Sequence, residues 1–390
     1  MFPVITHIDQ VKKAIEGRDE FIIAKREGYL VVNYMVALAE TFPDISDDTS
    51  RILRECRGLV FCSETGKVIS RRLNKFFNVG ERSETSMYTL PWDRLYIIMD
   101  KLDGSMVTPI PIKVGNDIHI RWGTKMGITG VAMQAEEFVA THPEYEILAK
   151  ACCYSGYTPI FEWCTNQQRI VIDHPEDKLI LLHIRDTVSG LYLSRIGIDS
   201  LLEETNTKDK IPLVKTWDSD KYTPNELVNI VRNLDDAEGI VVQFHNGNMV
   251  KIKSDWYVRI HRAKDKISSD RRILECVLAG EFDDLIPILP KEDVDRVITL
   301  ERSFNLALEE NVNEILGLRN IIINDHITRK EYALTWAPKV IPLQNAIVFK
   351  NWDNPNLTRV DVYFQVLTIA KQHIGRSETS FEEFRKQIGF

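Results

Sequence analysis

Short apolar runs alternate with turn residues through the first two thirds of the chain. Leu95–Met99, Ile240–Phe244 and Met249–Ile252 have the length of strands rather than of helices. Fifteen of the nineteen glycines precede residue 256 and punctuate these runs. Residues 1–260 therefore read as an α+β domain built on antiparallel sheets. After Trp256 only Gly280, Gly317, Gly375 and Gly389 remain, and apolar side chains return at helical spacing, as in Val294, Val297, Ile298, Phe304, Leu308, Val312 and Ile315. Residues 261–390 read as an all-helical domain. A chain of 390 residues suits two such domains, and no internal repeat or low-complexity segment interrupts the pattern.

Charge narrows the picture. A net charge of −8 argues against a protein that coats nucleic acid over its whole surface, so any polyanion site has to be local. Residues 250–272 are the basic exception, with eight Lys and Arg against three Asp, although beyond Lys253 a solvated linker face explains them equally well. No stretch reaches the roughly 18 apolar residues that span a bilayer, and the expectation is a cytoplasmic protein with no membrane partner. Six cysteines show no CxxC pair and no histidine at zinc-finger spacing, which points to free thiols.

The sharpest chemical signal is Lys101-Leu102-Asp103-Gly104-Ser105, at the end of the strand-like run Leu95–Met99. A lysine with an ordinary pKa near 10.4 is a poor nucleophile at neutral pH, but burial and neighbouring cations disfavour its charged form and free the lone pair. Gly104 would let backbone approach a phosphate or ribose closely. The motif alone fits a surface turn as well, since Asp-Gly is also a hairpin signal.

A second segment, Glu238 to Lys253, reads as a β-hairpin turning at Asn246-Gly247. A two-residue loop sets His245 opposite Asn248, Val242 opposite Lys251, Ile240 opposite Lys253 and Glu238 opposite Asp255. Glu238, Lys251 and Lys253 then share one face of the sheet; an odd-length loop would put the lysines on the other face. One acid and two cations aimed at one point suit a triphosphate, the lysines neutralising the α-phosphate and the acid holding a divalent metal. A surface ion cluster is the alternative. Glu162 sits inside the apolar run Ile160–Trp163, where an unpaired charge is costly. Arg57 and Lys75 lie in segments that could form adjacent strands. No GxGxxG, GxxxxGK[ST], HExxH or GxSxG occurs.

Taken together, these residues resemble the covalent nucleotidyltransferases, the ligases and capping enzymes, whose motifs run KxDG, an acid in an apolar strand, EG and KxK. Here they are Lys101–Gly104, Glu162, Glu238–Gly239 and Lys251–Lys253, in that order. The upstream ECRGLVF and NKFFN, the FEWCTNQQRIVI around Glu162 and the extended KIKSDWY are most similar to the bacteriophage RNA ligase 1 family, over roughly residues 30–265. The resemblance implies an adenylyltransferase domain over 1–260 in which Lys101 takes AMP from ATP. It further implies that Asp103 and Gly104 belong to the nucleotide site, that Glu162 binds the ribose, that Glu238 helps hold Mg²⁺ or Mn²⁺, and that Lys251 and Lys253 contact the α-phosphate. Arg57, Lys75 and Lys125 would position the remaining phosphates. The implied partner is RNA with 5′-phosphate and 3′-hydroxyl ends, nicked tRNA included, joined by a monomeric enzyme in the cytoplasm, a host cell's if the source is viral. No OB-fold is evident after the KxK strand; the helical domain over 261–390 would instead read the RNA. Its residues 281–316 hold ten acids against three cations, a face unsuited to phosphates. The rivals are a DNA ligase, a GTP-using capping enzyme, and a nucleotide- or RNA-binding module without chemistry.

Overall fold

A computed structural model of the protein describes residues 2–38, 40–115 and 117–390, and the chain divides into two compact units, Met1–Val258 and Arg259–Phe390. In the first unit β1 (Phe21–Arg26), β2 (Tyr29–Tyr34), β3 (Arg57–Cys62) and β4 (Val68–Ser70) form an antiparallel sheet in sequence order. Then come β5 (Phe77–Asn78), β6 (Tyr96–Lys101), β7 (Ser105–Val114), β8 (Asp117–Gly123), β9 (Tyr157–Cys164), β10 (Lys178–Asp186), β11 (Thr216–Trp217), β12 (Gly239–Phe244) and β13 (Met249–Lys253). They build a second sheet in the order β10-β9-β7-β8 and a third in the order β11-β6-β12-β13-β5. All pairs are antiparallel except β13 with β5.

Alternation along the strands decides which face of each sheet is open. In the second sheet Phe161 and Trp163 pack on Ala135, Leu148 and Cys152 of two helices, Gly130–Thr141 and Pro143–Tyr154. In the third, Ile98, Ile240, Val242, Val250 and Ile252 pack on Leu227 and Val231 of the helix Pro224–Arg232. Each such side chain contributes about 1.5–3 kcal/mol on leaving water, so these apolar faces turn inward. They leave Glu162 on one sheet, and Met99, Lys101, Val241, Lys251 and Lys253 on the other, to wall a cavity.

The hairpin of β12 and β13 differs from its sequence reading. Its loop has three residues, His245, Asn246 and Gly247, closed by Phe244 N donating to Asn248 O at 2.9 Å. A two-residue Asn-Gly turn of the favoured kind needs positive φ at both positions. Gly247 has it, at +81°, and Asn246 does not. Gly239 therefore pairs with Lys253 and Val241 with Lys251, one place off the expected register. By simple alternation Glu238 would fall on the face opposite the lysines. It does not, because the strand begins only at Gly239, whose φ of +137° turns the preceding residue back. Ser254 N fastens that turn by donating to Glu238 O at 3.0 Å.

A second expectation also fails. Arg57 opens β3 in the first sheet, whereas Lys75 leads into β5 in the third, so the two segments are not neighbouring strands. Arg54 and Glu55 lie in a helix, Asp48–Glu55.

In the second unit the helix Lys291–Asn324 buries Val297, Phe304, Leu308, Val312 and Ile315. These pack with Val362, Val366, Ala370 and Ile374 of the helix Arg359–Arg376 and with Phe381 and Phe384. The basic stretch after Lys253 is helical rather than a linker, Asp255–Lys266 and Asp270–Ala279, and its apolar members Ala263, Ile267, Ile273 and Cys276 face inward. Among the described residues no helix is long and apolar enough to cross a membrane, and all six cysteines are free.

Gly239 admits no side chain: an added Cβ would stand 2.0 Å from Ile252 O. Gly239→Ala should lower the unfolding free energy by about 3 kcal/mol in urea titration, from left-handed strain and the clash together. A loss under about 0.5 kcal/mol would mean that the strand can begin elsewhere.

Candidate active site

Three strands of the third sheet carry one row of partners. Lys101 on β6 pairs with Gly239 on β12, which pairs with Lys253 on β13. Aligned residues point to the same face. The central position has no side chain, so a slot opens between the two lysines. Glu238 fills it. Its Oε1 accepts from Lys101 Nζ at 2.7 Å and from Lys253 Nζ at 2.9 Å, with the carboxylate 4% exposed. The next row sets Met99, Val241 and Lys251 side by side.

The cavity above these rows measures about 520 Å³, within the range of small-ligand sites. Glu162 faces it from β9, and Arg57, Lys75 and Lys125 also line it. The charge is lopsided: six cations, Arg57, Lys75, Lys101, Lys125, Lys251 and Lys253, gather around three carboxylates, Asp100, Glu162 and Glu238, in a chain of net charge −8. Among the described residues neither Arg57, Lys75, Lys125 nor Lys251 is ion-paired to a carboxylate. Burial, then the neighbouring Lys101, Lys75, Lys253 and Arg57, pushes the Lys251 ammonium down to about 7. Burial likewise lifts the Glu162 carboxyl to about 7 against the pull of Lys101. Both groups thus change charge near neutral pH, as functional sites commonly do.

Tyr34 organises the far wall. Lys75 Nζ and Lys125 Nζ lie 5.1 and 5.2 Å from its ring centre. Burial raises its hydroxyl pKa, but Lys75, Arg57 and Lys125 outweigh that and lower it. The turn bearing Lys125 seats on Gly58, at φ +80°, where a Cβ would come 2.6 Å from Lys125 Cα. Glycine there is a condition for bringing Lys125 to the site.

Two motif residues, Asp103 and Glu55, do not line this cavity. Asp103 is 3% exposed and does not line the cavity. Its Oδ2 accepts from Val171 N and Ile172 N at 2.8 and 2.7 Å, and its Oδ1 accepts from the Tyr257 hydroxyl at 2.7 Å. It braces the turn after Lys101 against the Val171–Ile172 segment and against Tyr257. Gly104 does border the cavity, and it is also where a Cβ would meet Trp163 O at 2.5 Å, so part of its role is to let that turn approach β9. Glu55 of the ECRG segment is held within a buried network by Arg71 Nε at 3.1 Å and Arg185 Nη1 at 2.7 Å. Sequence reasoning passed over Tyr34, the last residue of an ordinary apolar strand, and Tyr257, whose only signal was its place in KIKSDWY.

As to a metal, Mg²⁺ and Mn²⁺ sites at nucleotides commonly take one or two carboxylates and complete their shell with phosphate and water. Glu238 can serve in that way if it is shared with its lysines. No group of three or more His, Cys, Asp or Glu that could hold an ion occurs among the described residues.

The chain is similar to several known proteins. A Thermovibrio ammonificans protein provisionally named an RNA ligase is 29% identical over 286 residues, covering 71% of this chain and 70% of that one. RNA ligase 1 of Bacteriophage TS2126 is 24% identical over 329 residues, covering 80% and 74%. Among solved structures, a Naegleria gruberi RNA ligase with pyrophosphate aligns at 19% identity and a TM-score of 0.34, over 44% of this chain and about half, 52%, of that one. The sequence model of the RNA ligase family matches residues 55–257, more than half of the chain and a span that includes all the motif residues named above, and the protein belongs to that family.

Proposed function

We propose that Lys101 is the residue that carries AMP, and that the protein seals 5′-phosphate and 3′-hydroxyl RNA ends at the expense of ATP. One observation carries this reading: two lysines on the strands either side of β12 share a single buried carboxylate beneath a cavity also lined by four cations, Arg57, Lys75, Lys125 and Lys251, with no carboxylate partner among the described residues.

ATP enters with its phosphates toward Arg57, Lys75, Lys125, Lys251 and Lys253, and its ribose hydroxyls donate to Glu162. Lys101 approaches the α-phosphorus as its Nζ proton leaves along the 2.7 Å contact to Glu238. The Nζ–P bond forms, the bond to the bridging oxygen breaks, and pyrophosphate departs. Lys253, fixed by the same carboxylate, neutralises charge on the non-bridging oxygens. A divalent ion held by Glu238 and the phosphates would add charge neutralisation at the same oxygens. An RNA 5′-phosphate then attacks the α-phosphorus, and Lys101 leaves as an amine and regains its proton. Finally a 3′-hydroxyl attacks the RNA phosphate and AMP is expelled.

Asp103 joins this scheme as a brace and not as a ligand. The helical unit is the part we assign to RNA selection, with nicked tRNA as the substrate of choice and a monomer as the working state. The cytoplasm holds both ATP and tRNA, and we place the reaction there.

Intact mass after incubation with ATP and Mg²⁺ should rise by one AMP in the native chain and stay unchanged in Lys101→Ala, and 5′-phosphorylated RNA should discharge the adduct. No adduct with ATP or GTP would sink the proposal. Affinity for a non-hydrolysable ATP analogue should depend on pH through Lys251. Below about pH 7 its ammonium is already present; above that, binding has to take up a proton. The affinity should fall roughly tenfold from pH 7 to pH 8.5, and Lys251→Met should remove at least half of that fall. An equal fall in the variant would acquit Lys251.

A further inference from the structure

Behind Lys75 and Phe76 lies a second cavity of about 440 Å³, which shares those two residues and Met249 with the first. Its walls are apolar at Ile45, Phe76 and Leu90, and Asn246, Asn248 and Thr89 are among its polar lining residues. Ile45 is 45% exposed, a large apolar side chain left in water beside it. Arg54, which also lines it, is 4% exposed; it donates to Glu84 Oε1 at 2.8 Å and to Pro43 O at 2.7 Å, yet its buried Nε meets no acceptor. Buried donors of that kind are rare without a partner.

The reaction proposed above says what should lie there, and the inference rests on that reading. Displacement at phosphorus is in line: the entering group arrives opposite the leaving one. Lys101 enters as pyrophosphate leaves, and in the next step it leaves as the RNA 5′-phosphate enters. The 5′-phosphate must therefore come through the space that pyrophosphate vacated, among Arg57, Lys75 and Lys125. The nucleoside attached to it sits just beyond those cations, and Lys75 is one of the three residues that line both cavities. The cavity suits a nucleoside better than a further phosphate, because its arginines are already paired, Arg54 with Glu84 and Arg51 with Asp48 at 2.8 Å. Apolar walls with a few amide and hydroxyl groups match the surface of a base, every one of which has an apolar face and polar edges.

We infer that this second cavity receives the 5′-terminal nucleoside of the RNA strand whose phosphate accepts AMP, its base lying between Ile45 and Phe76 within reach of the Asn248 amide.

The test uses the full chain preloaded with AMP and freed of ATP. Discharge is followed with a 5′-phosphorylated oligonucleotide and with the same strand lacking its first base. The abasic strand should discharge the native adduct about tenfold more slowly at subsaturating concentration, the size expected for one stacked base. Ile45→Trp, which fills the cavity, and Asn248→Ala, at the exposed residue that closes the hairpin loop, should slow the intact strand about fivefold or more. Neither should slow the abasic strand further, and both should form the adduct from ATP at the native rate. Equal discharge of intact and abasic strands by the native enzyme would overturn the inference while leaving the ATP reaction standing, as would variants that slow both strands alike. A native chain that forms no adduct overturns both.

Discussion

The shared carboxylate of Glu238 is the contact on which the rest of the first unit depends. Holding two ammonium groups against one buried oxygen requires that two strands deliver lysines to one level and that the strand between them deliver nothing. Gly239 meets the second condition by having no side chain, and its left-handed backbone brings the preceding carboxylate into the vacancy. The helix Pro224–Arg232 enters the same logic from the other side, because it gives the apolar residues of β6, β12 and β13 a reason to face away from the lysines.

Around that contact the protein concentrates positive charge without becoming basic. Burial first, and then repulsion from the neighbouring cations, make Lys251 easy to discharge near neutrality. The acids nearby divide by what surrounds them. Glu55 and Asp103 are saturated by arginines, backbone amides and a tyrosine hydroxyl, and so hold the frame. Glu162 has no partner of that kind among the described residues, and burial makes its proton hard to remove.

Much of this was legible from the chain. Strand-length apolar runs before residue 256 and helical spacing after it identified the two architectures, and the order of Lys101, Glu162, Glu238, Lys251 and Lys253 singled out residues that the fold gathers. What escaped was geometry that depends on one residue more or less. Asn246-Gly247 promises a two-residue turn, but Asn246 keeps negative φ and His245 joins the loop. The reading of one face for Glu238 and both lysines held only because a second deviation, at Gly239, offset the first. Asp103 shows a different limit: a motif pattern reports that a carboxylate is required, not whether it meets a ligand or two amide groups. Tyr34 gave no sign, since its neighbours on the cavity wall come from segments remote in sequence.

The three-residue loop closing β12 and β13 is exposed, short and polar, the kind of place where chains usually gain or lose residues without harm. Here its length is a parity bit. One residue added or removed between Phe244 and Asn248, with the apolar residues of β12 kept in place, would turn Lys251 and Lys253 toward the helix and Val250 and Ile252 toward the cavity, exchanging core for site while leaving the composition of both strands untouched. Substitution at His245 leaves that parity untouched, whereas insertions and deletions must come in pairs, and related chains that align across this hairpin should agree in the odd length of its loop.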